Sequence, residues 1–343
     1  GLILAELSFI NFEGIVPPWS EPHYTYVLKG GPGVGKSTLM KKCAAIARAN
    51  GFTVEEFRCA SDPESFDAVR IPQRRLVLLD GTAPHIVDPE IPGARDSIIN
   101  LGECLNEPAM RPRLSPIRAC MADNAACSRR ARACLAAAAA LARENAAILQ
   151  SAADTERLFR MTQALTQAVL VPSAPTESAP SMRPVITEAM TPKGEISLIA
   201  ENAQPRVIRL LFHWGMDGTP VLRQLSAAAR AAGYSTEEHL CPTVPGRLLH
   251  VGIPALSTLV TTSEQLTAEQ TFDFAACIPR GALLRHECAL EQGRAGIQLH
   301  LHRAGAALAQ AKELHDELES FYVPNMDFAK WQTILDRTLE SLK

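Results

Sequence analysis

An excess of charge of one sign, zinc-type cysteine spacing and long apolar runs are all missing from this sequence, and each absence closes a class of function. The chain carries 34 Lys and Arg against 37 Asp and Glu, a formal net charge of −3. No basic field points to nucleic acid and no polybasic tail to a membrane surface, so neither is expected as a partner. No segment reaches 18 uncharged apolar residues; the alanine-rich run from Ala131 to Ala147 is broken by Arg132, Arg143 and Glu144. A membrane-spanning helix is therefore not expected, and a soluble, cytoplasmic protein is. The nine cysteines are irregularly spaced, without a CxxC pair or a Cys/His grouping of zinc type, and read as free thiols of a reducing compartment. Cys120, Cys127 and Cys134 fall on one helix face at steps of seven. Neighbours would lie about 10 Å apart, too far to share a metal, so a small apolar stripe is the expectation.

At 343 residues the chain suits two domains. It begins with Gly1 rather than Met, so a few residues are expected upstream, and Leu2 to Phe12 reads as a first strand. Residues 172 to 184 (PSAPTESAPSMRP) are rich in Pro, Ser and Thr and mark a linker. The expected division is 1–171, then the linker 172–184, then 185–343. Strand-and-loop signals followed by long helical patterns occur before the linker and again after it. A shift of 182 places Ala45, Ala47, Arg48, Ala49, Gly51, Glu55, Glu56 and Cys59 on identical residues between 227 and 241. The same shift sets Ile71-Pro72 on Ile253-Pro254. A duplicated chain is expected.

Tyr24 to Leu28 is a β-branched and aromatic run that leads directly into GGPGVGKST, residues 30 to 38. A helix is expected from 36 to 50, with Leu39, Cys43, Ile46 and Ala47 on one face and Gly51 as its left-handed stop. Strand, glycine-rich loop and helix together make a P-loop. Gly30, Gly31, Pro32, Gly33, Val34 and Gly35 would let successive backbone N–H groups face phosphate oxygens, aided by the helix N-terminus. Lys36 should reach the β- and γ-phosphates, Ser37 should ligate Mg2+, and Thr38 should touch the α-phosphate.

Arg75 to Asp80 (RLVLLD) resembles a Walker B strand whose terminal carboxylate, Asp80, would hold the magnesium ion beside Ser37. Gly81 stands where motor-type ATPases carry a glutamate base, and no NKxD guanine signature is visible, so ATP is expected over GTP only by default. His85, with Asp62, Glu64 and Asp88, is a candidate for proton transfer or water positioning at the strand ends. The plainer alternative is that Asp62-Pro63-Glu64 caps a short helix over 63–69 and His85 only satisfies a loop.

Under the 182 shift, the second copy reads Phe212 to Pro220 where the first has its P-loop. Gly218 replaces the lysine, Asp217 puts a negative charge where phosphate would lie, and Thr262 replaces Asp80. The second lobe should not hydrolyse nucleotide, and Trp214 is expected to plug its old pocket. Each half ends in helices, with Leu314, Leu318 and Tyr322 on one stripe, read as hairpins packed on or beside each core. An intramolecular core explains the stripe; a protein partner or a self-association face is the alternative.

With these residues the chain resembles a group of bacterial, mostly clostridial and bacillar, tandem P-loop proteins known only as ATPases of unassigned role. The carriers are GIVPP at 14–18, LKGGPGVGKSTLMKK at 28–42, SDPES at 61–65, LLDGTAPHIVDPEIPGA at 78–94, IINLGE at 98–103 and AKELHDELESFYVPNMDF at 311–328. The resemblance implies an α/β fold of two tandem P-loop NTPase-like lobes, each a parallel sheet with flanking helices followed by a helical hairpin. It departs at 212–220, since the family usually keeps both P-loops. The leading expectation is a Mg2+-dependent ATP hydrolase with one active site and an inactive, regulatory second lobe. A nucleotide or small-molecule kinase and a nucleotide-gated scaffold without turnover are the alternatives.

Overall fold

The computed structural model describes residues 2–4, 24–82, 86–170 and 179–340, and shows a mixed α/β protein. The candidate His85, the GIVPP segment and most of the expected linker lie outside the described residues. Among the described residues no helix is long and apolar enough to cross a membrane.

The first sheet has six strands. They are β1 (Leu2–Leu4), β2 (Tyr24–Lys29), β3 (Glu55–Cys59), β4 (Phe66–Ile71), β5 (Leu76–Asp80) and β6 (Asp96–Asn100), in the order β1-β3-β4-β5-β2-β6. β5 is the apolar run LVLL, buried on both faces as a central strand must be. It lies parallel to β2 with Leu28 opposite Asp80, and β6 lies parallel on the other side of β2. β4 runs antiparallel to both of its neighbours, so the sheet is mixed rather than parallel as expected. The helix considered for 63–69 is likewise absent. Asp62 closes a tight turn, with Ser65 N–H donating to its carbonyl at 2.8 Å, and the chain returns as β4. One helix, α1 (Lys36–Ala49), buries Leu39, Met40, Cys43, Ala44 and Ala47 against Leu28, Val69 and Leu78. It stops at Gly51, whose φ of 80° is the left-handed value a side chain would resist.

After β6 come α2 (Glu107–Met110), α3 (Leu114–Ala152) and α4 (Thr155–Val169), and near the end of the described residues α6 (Arg280–Tyr322) and α7 (Phe328–Glu340). Between them lies the second sheet. Its strands are β7 (Met182–Val185), β10 (Arg206–Leu211), β11 (Thr236–Leu240), β12 (Leu248–Ile253), β13 (Thr258–Thr261) and β14 (Gln270–Asp273). Their order is β14-β10-β13-β12-β11-β7, with α5 (Thr219–Ala231) packed on β12 and β11. A hairpin of β8 (Glu188–Thr191) and β9 (Gly194–Ser197) precedes β10. β7 starts inside the segment expected to be linker.

Both sheets have the same strand order and the same pattern of directions. β13 and β14 flank β10 in parallel, and β12 is antiparallel to both neighbours. The irregularities coincide as well. Register slips between Phe57 and Arg58 and between His239 and Leu240, and the left-handed residues Arg75 and Ser257 follow the short 3-10 turns Pro72–Arg74 and Pro254–Leu256.

Two compact units divide the chain, and they are not the contiguous halves 1–171 and 185–343. One comprises residues 1–132, 191–194 and 305–343; the other comprises 133–190 and 195–304. The reason is visible in the cores. α7 buries Trp331 and Leu335 with α1 of the first unit, while α4 buries Leu165 and Val169 with α5 and β10 of the second. The expected pair of hairpins, each on its own half, is thus replaced by helices that exchange places. Small residues line the long helices. Cys120, Cys127 and Cys134 are all buried on α3, as the stripe reading requires, and Gly296 of α6 leaves no room for a Cβ beside Leu141.

In the second unit a polar cluster joins the β8–β9 hairpin to the sheet. His250 Nε2 lies 2.9 Å from Glu188 Oε1 and its Nδ1 lies 2.7 Å from Thr261 Oγ1; Thr187 Oγ1 donates to Glu188 and lies 3.1 Å from His239 Nδ1. Burial, then the neighbouring His250 and Arg183, hold His239 well below the usual imidazole range. Burial raises the Glu188 carboxyl, but the His250, Thr187 and Ser197 bonds outweigh it and the net shift is downward. Unfolded His239 takes up a proton near pH 6.5 while folded His239 does not. Stability should therefore be complete above that pH and decline as pH falls through it, by up to about 1.4 kcal/mol per pH unit for this one proton. Urea unfolding of the second unit between pH 8 and 5 should show the decline, and His239→Gln should flatten it above the range where Glu188 protonates.

Candidate functional site

The loop Gly30 to Gly35 turns through three left-handed or glycine-only conformations, with φ of 153° at Gly30, 69° at Gly33 and 87° at Gly35. It delivers the chain into α1 at Lys36. Gly35 is the N-cap, no side chain caps the helix and no acid sits in its first turn. Leu39 N–H is the first to find an intrahelical carbonyl, that of Gly35, at 2.9 Å. The preceding N–H groups have no intrahelical partner and, with the helix dipole, form a positive concavity suited to an anion.

Lys36 and Asp80, both expected in the site, come together. Lys36 Nζ donates to the carbonyls of Gly30 at 3.0 Å and Gly31 at 2.8 Å, and lies 3.6 Å from Asp80 Oδ2. The other Asp80 oxygen accepts from Thr82 N at 2.9 Å and Thr82 Oγ1 at 2.5 Å. The pair is only 12% and 18% exposed. The parallel pairing of β2 with β5 produces this: strands of one direction end together, so loop lysine and strand-end carboxylate share an edge. Ser37 Oγ accepts from Phe66 N–H at 2.9 Å, which fixes its rotamer and leaves a second lone pair for a cation. Magnesium takes few protein oxygens and fills its octahedron with phosphate and water, so Ser37 and Asp80 fit that ion. Among the described residues no group of three or more His, Cys, Asp or Glu could hold a metal by itself.

The other candidates are placed differently. Asp62 sits in the β3–β4 turn, accepting from Ser65 Oγ at 3.0 Å and facing Lys312 at 3.8 Å. Glu64 is exposed. Asp88 is held by Lys29, whose ammonium also bonds the Gly81 and Val87 carbonyls, tying these three residues to the end of β2.

One feature of the loop escaped sequence reasoning. A Cβ on Gly31 would lie 2.5 Å from the Tyr322 ring, on Gly33 2.8 Å from Val323 Cγ2, and on Gly35 2.7 Å from Trp331 Nε1. The end of α6 and the start of α7 thus press directly on the loop. This arm is anchored by Asn106 N–H to the Asn325 carbonyl at 2.9 Å, Asp327 N–H to the Cys104 carbonyl at 2.7 Å, and Lys330 Nζ to the Glu103 carbonyl at 2.8 Å. The stripe at 314, 318 and 322 was visible in sequence; that it ends on the glycine loop was not.

The second unit's loop, Phe212 to Gly218, retains one bond and changes the rest. Thr219 Oγ1 accepts from Leu248 N–H at 2.9 Å, and both residues lie 182 positions after Ser37 and Phe66. Asp217 Oδ1 accepts from Thr219 N at 2.9 Å and Thr219 Oγ1 at 2.6 Å, placing a carboxylate of the chain itself at the α5 N-terminus. Arg247 Nε lies 3.6 Å from it. A Cβ on Gly218 would meet the Phe212 ring at 2.6 Å, and that ring stacks on Phe274 at 5.1 Å. Phe212, not Trp214, is thus the aromatic packed on this loop's end; Trp214 is 39% exposed beneath Arg294.

No protein-family model, curated protein or solved structure matches this chain.

The arm contact can be isolated because Gly35 and Gly51 share a left-handed conformation, whereas nothing lies within 4 Å of a Cβ on Gly51. Gly51→Ala should cost about 1 kcal/mol of backbone strain. Gly35→Ala should cost about 1–3 kcal/mol more in chemical denaturation, from the overpacked indole. In a Trp331→Ala background that excess should vanish.

Proposed function

We propose that the chain is a magnesium-dependent ATP-binding hydrolase built as a tandem pair of P-loop lobes, the first carrying the working site and the second emptied. The observation that carries the first half of the reading is the convergence of Lys36 and Asp80, 3.6 Å apart, on an uncapped helix N-terminus behind a glycine loop. The tandem half is supported by the identical strand orders and by the Ser37–Phe66 and Thr219–Leu248 bonds, 182 residues apart. It agrees with what the resemblance to bacterial tandem P-loop ATPases implies.

In this reading the triphosphate takes over the positive concavity of the loop. Lys36 exchanges its Gly30 and Gly31 carbonyls for β- and γ-phosphate oxygens, which costs it little because its hydrogen-bond count is preserved. Ser37 and Asp80 would hold Mg2+, which would supply neutralisation of phosphate charge. Thr38 bonds the α-phosphate. Asp217 and Phe212 keep the second loop from binding nucleotide, one by charge and the other by volume, and leave that lobe a regulatory role.

Trp331 reports the site, since its indole nitrogen abuts Gly35. Titration with Mg-ATP should change tryptophan emission, and Trp331→Phe should remove that change while binding persists. Lys36→Ala should weaken binding about 100-fold or more, the worth of a charge-assisted contact to phosphate. Asp80→Asn should remove the magnesium dependence of turnover. Equal affinity of Lys36→Ala and wild type would refute the reading.

A further inference from the structure

We infer that Lys312 of α6 is a second cation for the nucleotide's terminal phosphate, so that α6 makes the site discriminate triphosphate from diphosphate. The inference rests on the nucleotide reading above. Its basis is where α6 runs in the first unit. At one point, Lys312 faces Asp62 in the β3–β4 turn, 3.8 Å away. That turn leads into Phe66, whose N–H holds Ser37. At the other point, the Cβ of Glu319 lies 3.3 Å from where a Cβ on Gly33 would stand, and Val323 and Tyr322 close on Gly33 and Gly31. Seven residues of helix, about 10 Å, therefore cross from the Ser37 side of the loop to its tip. In a P-loop that is the side on which the terminal phosphate lies, between the loop tip and the metal.

The charges on this stretch of α6 need explanation. It carries Asp316 and sets Glu319 beside Gly33, together with the partial negative charge of a helix C-terminus. His315 pairs with Glu319 at 3.4 Å, and Lys312 bonds Asp316 and faces Asp62. A triphosphate entering beside three carboxylates and a helix C-terminus would be repelled unless a cation turned toward it. Lys312 can do so. It is partly exposed, and ion pairs of this kind are worth about 0–1 kcal/mol, so leaving Asp62 for a phosphate oxygen is nearly free. A lysine suits the task because its ammonium is a point charge on a flexible stem, able to serve two positions.

The test compares binding of the non-hydrolysable β,γ-imido analogue of ATP and of ADP, each with magnesium, to the full chain by calorimetry. Wild type should prefer the triphosphate. Lys312→Met should weaken the triphosphate about 10- to 100-fold and leave ADP within about twofold, the loss of one charge-assisted contact. Lys312→Arg should restore most of the preference. Asp316→Asn, which frees Lys312 without removing its charge, should keep or raise it. If Lys312 only braces α6, Lys312→Met and Asp316→Asn would weaken both nucleotides alike, and that result overturns the inference while leaving the nucleotide site standing. An unchanged triphosphate preference in Lys312→Met overturns it too. Failure of wild type to bind either nucleotide overturns this inference and the underlying reading together.

Discussion

Everything in the first unit depends on a loop clamped by a distant part of the chain. Tyr322, Val323 and Trp331 abut the glycine loop at distances that no Cβ would tolerate. Gly33 and Gly35 thus answer two demands at once, a left-handed backbone and close packing, and Gly31 answers the second. The same arm is stitched to the chain after β6 by three hydrogen bonds, so loop, β6 and the end of α6 form one assembly. Burial of Trp331 and Leu335 against α1 contributes on the order of 2–3 kcal/mol each toward keeping the clamp shut.

On the proposed reading, comparison of the two units separates the parts of such an assembly that serve the fold from those that would serve a ligand. The hydroxyl at the start of the helix and its bond to the neighbouring strand are present in both units. The lysine and the strand-end acid are present in one. In the other, the chain supplies an anion of its own, Asp217, which accepts from the first N–H of α5. A helix end left without such a partner would cost stability.

Much of this was legible in the sequence because it is local. The apolar run ending at Asp80, the strand from Tyr24, and the helix closed by Gly51 follow from periodicity and turn chemistry, and the structure has β5, β2 and α1 there. The failures are non-local. Residues 63–69 carry a helix-capping signature, but pairing with β3 and β5 draws Phe66–Ile71 into a strand. Trp214 looked like a plug because of its size, yet the aromatic packed on the loop's end is Phe212, a matter of side-chain direction that spacing does not reveal. The stripe on α6 announced a partner without saying which. Above all, a proline-rich segment between two similar halves suggests separate domains, and nothing in a linear pattern signals that α4 and α7 trade cores.

That trade sets an order of events during synthesis. α1 is made early, but Trp331 and Leu335, which join its core, are made some 280 residues later. The second unit, by contrast, has all of its chain once residue 304 has emerged. The N-terminal unit must therefore wait for α7 with part of its core uncovered. A ribosome that stalls or a message cut short before Trp331 would release a chain whose second unit is whole and whose glycine loop has no clamp.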